Sequence, residues 1–381
     1  METLRIIPIF LGRFERKHYL CRRMNKYLYI MTLLTWFNTV IRAQQVETYT
    51  VFQATDTSNH YANGVVLTAF KGTLYCMWQS SPTNEDSDDT WVAYSRSTDE
   101  GLSWSRPEAL AVPNDSAYCT SGGWRVFGDT LLAYIDIWPK GLAPRGGYTY
   151  YVTSTDGQTW TAPKPVIMAD GTVMDGVLEQ DPYALPDGRL VGACHFQPGL
   201  HICPVYTDDP TGRTGWRRGA FECEDRGPQS RCLEPSQYVT ADGTVVMLFR
   251  DQSSSFRKMV SLSRDRGESW TPPVVSSLVD GRTKQCAGNL PNGTAFMVSC
   301  PSGSKERWPL VLQLSRDGYT FDRRLLLRSG GSNDLSPRRY EGKAKTLGYS
   351  YPKATVHNGW LYIGYSENKE DVKCTRVAID R

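Results

Sequence analysis

The stretch "STDEGLSW", residues 97–104, decides the architecture, because it comes back as "SRDRGESW" at residues 263–270. Shortened copies, "STDGQTW" from Ser154 and "SRDGYTF" from Ser315, and a degenerate "YTDDPTGRTGW" ending at Trp216 extend the series. In each copy an Asp can accept N–H groups of its own turn, a Gly takes a left-handed backbone and an aromatic ring covers the turn. Asp99, Asp156, Asp265 and Asp317 therefore read as turn-makers rather than catalysts.

A second repeat runs in phase with the first. A turn with a glycine is followed by a short apolar strand in "KGTLYCMWQ", "GDTLLAYID", "DGRLVGACHF", "DGTVVMLFRD", "NGTAFMVSC" and "NGWLYIGYS". The glycines are Gly72, Gly128, Gly188, Gly243, Gly293 and Gly359, separated by 56, 60, 55, 50 and 66 residues. Each period holds strand A, the glycine turn, strand B, a loop, strand C, the Asp motif and strand D. Four antiparallel strands at such a period form a propeller blade, and six periods predict an all-β, six-bladed β-propeller. A β-sandwich explains alternating strands but not two repeats locked to one period. The last period lacks an Asp motif after "CTRVAI", so "VETYTVF" (Val46 to Phe52) is expected to complete it and close the ring.

Strand direction then sorts the polar residues. Starts of A, ends of B and starts of C share one rim, opposite the Asp motifs. In "EPSQYVTADGTVVMLFRDQ", Glu234 opens strand A and Arg250 ends strand B of the fourth period, which places both charges on that rim beside the axis. Asp89, Asp136, Glu179, Asp181, His195, Arg257, Arg307, Tyr349, Tyr351 and Lys353 fall on the same rim. Carboxylates, arginines and tyrosines around a funnel suit a polar, ring-shaped ligand such as an acidic sugar.

These repeats and this rim resemble the sialidase (neuraminidase) superfamily of six-bladed propellers with Asp-box repeats. The stretch "GYSYPKATVHNGWLYIGYSENKED" resembles bacterial sialidase-like, exo-α-sialidase proteins. The resemblance implies a Tyr nucleophile, a Glu base, an Asp acid/base and three arginines on the substrate carboxylate. A phenol reaches an anomeric carbon that bears a carboxylate, where a second carboxylate would be repelled. It makes Glu234 the base, Arg250 and Arg307 the second and third arginines, Tyr349 or Tyr351 the nucleophile, and Asp89 the acid/base. Arg257, His60, Asp136, Glu179 and His195 complete the expected substrate-binding set. The first arginine has no counterpart: "HYANGVVL" (His60 to Leu67) contains neither Arg nor Lys. Loss of one charge-assisted fork costs about 2–4 kcal/mol in a dry site.

The N-terminus carries a different signal. Arg22, Arg23 and Lys26 precede an apolar run from Tyr27 to Ile41 that ends at Ala43. That run falls short of the ~20 residues of a membrane span and reads as a secretory signal starting at Met24 and cleaved after Ala43. The propeller is expected over residues 44–381. Residues 1–43 hold eight Lys and Arg against two Asp and Glu, so a chain of net charge +3 becomes −3 without them. Nothing basic remains for nucleic acid. Removal of Cys21 leaves nine of ten cysteines, with Cys194/Cys203 and Cys223/Cys232 the nearest pairs and at least one thiol free. No cysteine or histidine cluster has metal-ligand spacing, and no cofactor is implied.

The sequence thus leads to a secreted or periplasmic exo-glycosidase acting on terminal acidic sugars of glycans. Two alternatives share the scaffold. One is a polysaccharide lyase or non-sialidase glycosidase in which His60, His195 or a rim Tyr moves the proton. The other is a glycan-binding propeller without turnover.

Overall fold

A computed structural model describes residues 45–178, 180–221 and 232–379. The expected signal segment, Cys21, Cys223 and Glu179 lie outside the described residues.

Six antiparallel sheets follow one another along the chain. The first blade holds β2 (Tyr61–Phe70), β3 (Thr73–Ser81), β4 (Trp91–Ser97) and β5 (Glu108–Ala111); the second holds β6 (Ala117–Phe127), β7 (Thr130–Pro139), β8 (Tyr148–Ser154) and β9 (Lys164–Pro165). In the third, β10 (Gly176–Val177) and β11 (Tyr183–Ala184) both pair with β12 (Leu190–Phe196), followed by β13 (His201–Thr207) and β14 (Arg217–Arg218). The fourth has β15 (Cys232–Val239), β16 (Val245–Asp251), β17 (Arg257–Ser263) and β18 (Val274–Val279). The fifth has β19 (Cys286–Asn289), β20 (Ala295–Ser299), β21 (Leu310–Ser315) and β22 (Arg323–Arg328). The sixth joins β23 (Tyr349–His357), β24 (Trp360–Glu367) and β25 (Asp371–Ala378) to β1 (Val46–Phe52) from the other end of the chain. That pairing, Val46 opposite Val377 through Phe52 opposite Val372, is the expected closure of the ring. The third blade departs from the regular strand A: Pro182 has no N–H for the ladder, and the strand breaks into two short pieces.

Strands buried on both faces explain the unbroken apolar runs. In β16, Val245, Met247 and Phe249 pack toward the third blade, while Val246 and Leu248 pack toward the fifth. The period of two thus divides one strand between two interfaces. The same alternation in β3 sends Met77 against Trp124 and Ile135 of the second blade, and Cys76 and Trp78 against Tyr362 and Cys374 of the sixth.

The Asp boxes form as expected. Ser97 donates to Asp99 at 2.8 Å, Ser103 N donates to the same carboxylate at 2.9 Å, and Trp104 Nε1 closes the turn on Gly101 O at 3.1 Å. Asp265 and Trp270 repeat this, with Trp270 Nε1 3.0 Å from Gly267 O. The degenerate copy works too: Asp209 accepts from Thr211 N at 2.9 Å and Trp216 Nε1 reaches Gly212 O at 3.0 Å. Each box leans on the preceding blade, as in the 2.8 Å bond from the Tyr134 hydroxyl to Gly212 O.

All seven described cysteines whose side chains are placed are free thiols. Cys194 and Cys203 stand directly opposite each other on β12 and β13, unbonded.

Candidate active site

The innermost strand of four blades carries the same irregularity, two residues facing one on the next strand. Gly64 and Val65 face Trp78, Gly122 and Gly123 face Tyr134, Glu234 and Pro235 face Phe249, and Tyr351 and Pro352 face Tyr365. Such a bulge re-aims the side chain it carries. Gly64, Glu234 and Tyr351 hold left-handed backbones with φ of 62°, 52° and 56°. For Glu234 and Tyr351 that geometry costs about 1–2 kcal/mol each. The proline after each of them has no N–H for the broken ladder to orphan.

Glu234 and Tyr351 meet across the axis. The Tyr351 hydroxyl donates to Glu234 Oε1, and Arg250 Nη1 lies 3.1 and 3.0 Å from the two carboxylate oxygens. Burial pushes the Glu234 carboxyl up, but Arg250, Lys284 and the phenol outweigh it and hold it at about 2. Burial, then Glu234 and Glu85, keep the phenol well above its ordinary range, against the pull of Arg250 and Arg307. At neutral pH the pair is a carboxylate facing an intact phenol. Around the Tyr351 ring stand three cations, Lys284, Lys369 and Arg307, at 5.3, 5.5 and 5.7 Å from its centroid.

The bulge that carries Glu234 is pinned from behind. Gln285 Nε2 donates to Glu234 O at 3.1 Å, Ser236 Oγ at 3.0 Å and Leu248 O at 2.9 Å, spanning the irregularity. Its Oε1 accepts from buried Lys258 at 2.8 Å, which in turn pairs with Asp280 at 2.7 Å.

A cavity of about 220 Å³ opens in front of the pair, between the first, second and third blades. Asp86, from the loop between β3 and β4, reaches it together with Glu85, Asp136 and Arg145. Arg145 binds Asp86 at 2.7 Å and lies 4.1 Å over the ring of Trp138. Burial pushes the Asp86 carboxyl up, Arg145 pulls it back and Glu85 pushes it further, so the net shift is upward. Glu85 accepts from the Tyr61 hydroxyl at 2.7 Å and from Lys369 at 2.6 Å.

Of the residues expected from sequence, Glu234, Arg250, Tyr351 and Asp136 come together here. Arg307 stands behind Tyr351, bonded to Ser350 Oγ at 2.7 Å. His195 is buried behind Glu234 and accepts from its N–H at 3.5 Å. Tyr349 is not at the cavity: it is fully buried in the core between the fifth and sixth blades, its hydroxyl 3.3 Å from Asp334. Strand alternation alone would put residues two apart on one side, but the bulge after Ser350 breaks it and turns Tyr351, not Tyr349, to the axis. Asp89 is exposed and held by Ser87, three residues past the acid that enters the cavity. Arg257 is exposed and bonds Ser277 O at 2.9 Å, and His60 stacks on Tyr340 at 3.8 Å. Asp181 and Lys353 line a separate cavity of about 250 Å³. Sequence reasoning did not single out Glu85, Asp86, Trp138, Arg145 or Lys284. The run "NEDSDD" (Asn84 to Asp89) offered four acids within five positions, and nothing in spacing chooses among them. Among the described residues no His, Cys, Asp and Glu group could hold a metal, and no helix is long and apolar enough to cross a membrane.

A ring of six antiparallel blades with Asp boxes on one rim and a tyrosine–glutamate pair on the axis at the other defines a sialidase-like propeller. The BNR repeat-like domain is matched over residues 72–363, and the chain belongs to that family. Solved structures share the fold. A protein of unknown function from Dyadobacter fermentans superposes with a TM-score of 0.65 at 16% identity, covering 87% of this chain and 99% of its own. The Hadza microbial sialidase Hz136 gives 0.67 at 16% identity over 87% and 68% of the two chains. The intramolecular trans-sialidase from Ruminococcus gnavus, in complex with oseltamivir carboxylate, gives 0.64 at 13% over 87% and 97%. No curated protein matches the chain by sequence.

Proposed function

We propose that the protein is an exported, retaining exo-glycosidase that works through Tyr351. The observation that carries this reading is the phenol of Tyr351 donating to a Glu234 carboxylate that Arg250 and Lys284 keep ionised. Glu234 takes the phenol proton as the oxygen attacks the anomeric carbon, and the three cations around the ring stabilise the charge it gathers. Asp86, kept protonated longer than an ordinary carboxyl by its burial, gives its proton to the departing glycosidic oxygen. The sugar is then bound through the phenol oxygen. Asp86, now a carboxylate, takes a proton from water as that water attacks the same carbon. The phenol leaves and recovers its proton from Glu234, which restores the starting state. The sialidase-like neighbours support the reaction class. The basic, apolar segment that ends at Ala43 supports export.

The test is to trap the intermediate. A 2-fluoro or 3-fluoro glycosyl fluoride of a processed sugar should leave one glycosyl group on the peptide containing Tyr351, read by mass spectrometry. A label on any other residue, or an inverted product, defeats the mechanism. An ultraviolet-absorbing unsaturated product would establish a lyase instead.

A further inference from the structure

The inference rests on the glycosidase reading above and concerns the sugar that the cavity takes. The bulge of the first blade reaches the axis without a side chain. It presents Gly64, where a Cβ would stand 2.8 Å from the Ser121 hydroxyl and 3.4 Å from Gln79 Oε1. Within the stretch where the resemblance expects an arginine, a side chain at Gly64 would have to displace the Ser121 hydroxyl and adopt a φ of 62° that disfavours it. Behind it the wall consists of Gln79, Thr120 and Ser121 with the carboxyl groups of Glu85, Asp86 and Asp136. Counting Glu234, four carboxyl groups line the cavity against two cations, Arg145 and Lys284. The arginines near Tyr351 are engaged: Arg250 on Glu234 at 3.0 Å, and Arg307 on Ser350 at 2.7 Å. Arg145 is held by Asp86 at 2.7 Å.

A carboxylate entering this cavity would leave water for a wall whose Arg145, Arg250 and Lys369 are already paired with the wall's own Asp86, Glu234 and Glu85. The hydroxyls of an uncharged sugar would instead donate to the carboxylate and amide oxygens there, which is how buried acceptors are satisfied. We propose that the cavity takes an uncharged, hydroxyl-rich terminal sugar, read by the wall of the first and second blades, and not a sugar with a carboxylate on its anomeric carbon. The phenol is compatible with this. Both oxygens of Glu234 are engaged by Arg250, and one of them also by Tyr351, so of the two the tyrosine hydroxyl is the nucleophile whatever the sugar's charge.

The experiment is a panel of 4-methylumbelliferyl glycosides, with neutral hexosides, deoxyhexosides, pentosides and N-acetylhexosaminides of both anomers beside the α-N-acetylneuraminide. A neutral glycoside should be turned over with kcat/KM at least about 100-fold above that of the sialoside, because burying a carboxylate beside cations that are already paired costs several kcal/mol. A sialoside processed as well as or better than every neutral glycoside overturns the proposal. In the responding case, Gln79→Ala should raise KM for the neutral sugar about tenfold, as for one lost hydrogen bond. An unchanged KM removes that wall from recognition and overturns it equally. If nothing on the panel is turned over, the hydrolase reading falls, and calorimetric titration with the free neutral sugars and with N-acetylneuraminate decides the sugar class. Binding of a neutral sugar alone upholds the inference. Binding of N-acetylneuraminate, or of no sugar, overturns it.

Discussion

The two rims of the propeller use the same residue types in opposite ways. On the Asp-box rim each carboxylate is satisfied by its own turn: Asp156 accepts from Thr159 N three positions on, and Asp317 from Thr320 N three positions on, which holds Asp317 at about 2. On the cavity rim the partners are distant in sequence. Tyr351 reaches Glu234 across 117 positions, Arg145 reaches Asp86 across 59, and Lys369 reaches Glu85 across 284. Asp156 and Asp317 are exposed, whereas Glu234 is buried and Glu85 and Asp86 are half-buried, so electrostatics count for more at the cavity. The contrast separates a rim that shapes the blades from a rim that gathers charged groups from distant parts of the chain.

That separation is open to attack by substitution. The largest effect is expected at the axis: Tyr351→Phe should reduce turnover to background and Glu234→Gln should lower it about 10²–10⁴-fold, both with melting temperatures near that of the parent. A chief loss of stability at either would make the pair a structural tie. Next, Trp270→Ala should cost about 3–5 kcal/mol in denaturant unfolding, since its ring is 7% exposed in the interface between the third and fourth blades, and leave kcat/KM per folded molecule unchanged. Trp104, half-buried, should cost less. A kinetic defect in a stable Trp270 variant would erase the difference between the rims. Asp86→Asn should lower turnover about 10²-fold on poor leaving groups and much less on activated aryl glycosides, whereas Asp89→Asn stays within about twofold on both. The reverse ranking would return the acid role to Asp89. The smallest effect is a displacement in pH. Asp86 must be protonated and Glu234 ionised, so activity falls as pH rises through the raised Asp86 pKa, while Glu234 limits it only near pH 2. Arg145 pulls the Asp86 pKa down, so Arg145→Met should move the alkaline limb up. A limb that stays in place, or moves down, would exclude Asp86 as the group it reports.

The blade count, the Asp boxes and the closing strand were legible because their determinants are local: a turn, its glycine and its covering ring lie within eight residues. Glu234 and Arg250 were legible for the same reason, being the two ends of one hairpin. The acid in "NEDSDD" was not, because a loop of irregular backbone gives adjacent acids unrelated directions, and Asp86 itself has a φ of 56°. Tyr349 and Tyr351 could not be told apart by strand alternation, which puts residues two apart on one side. The bulge after Ser350 breaks that rule and turns Tyr351 alone to the axis. Arg145 and Lys284 belong to no repeat, and only the assembled ring brings them to the cavity.

The strand that locks the ring has a consequence for when the protein can work. β1 is made first but pairs with β25, so Thr48 bonds a residue 327 positions later, Thr375. Contacts of such separation form late. The blade they complete is also the one that bears Tyr351, so a chain that holds Glu234 but lacks β25 has that blade incomplete. On the proposed mechanism, activity therefore waits for β25, and an assay for it is at the same time an assay for circular closure.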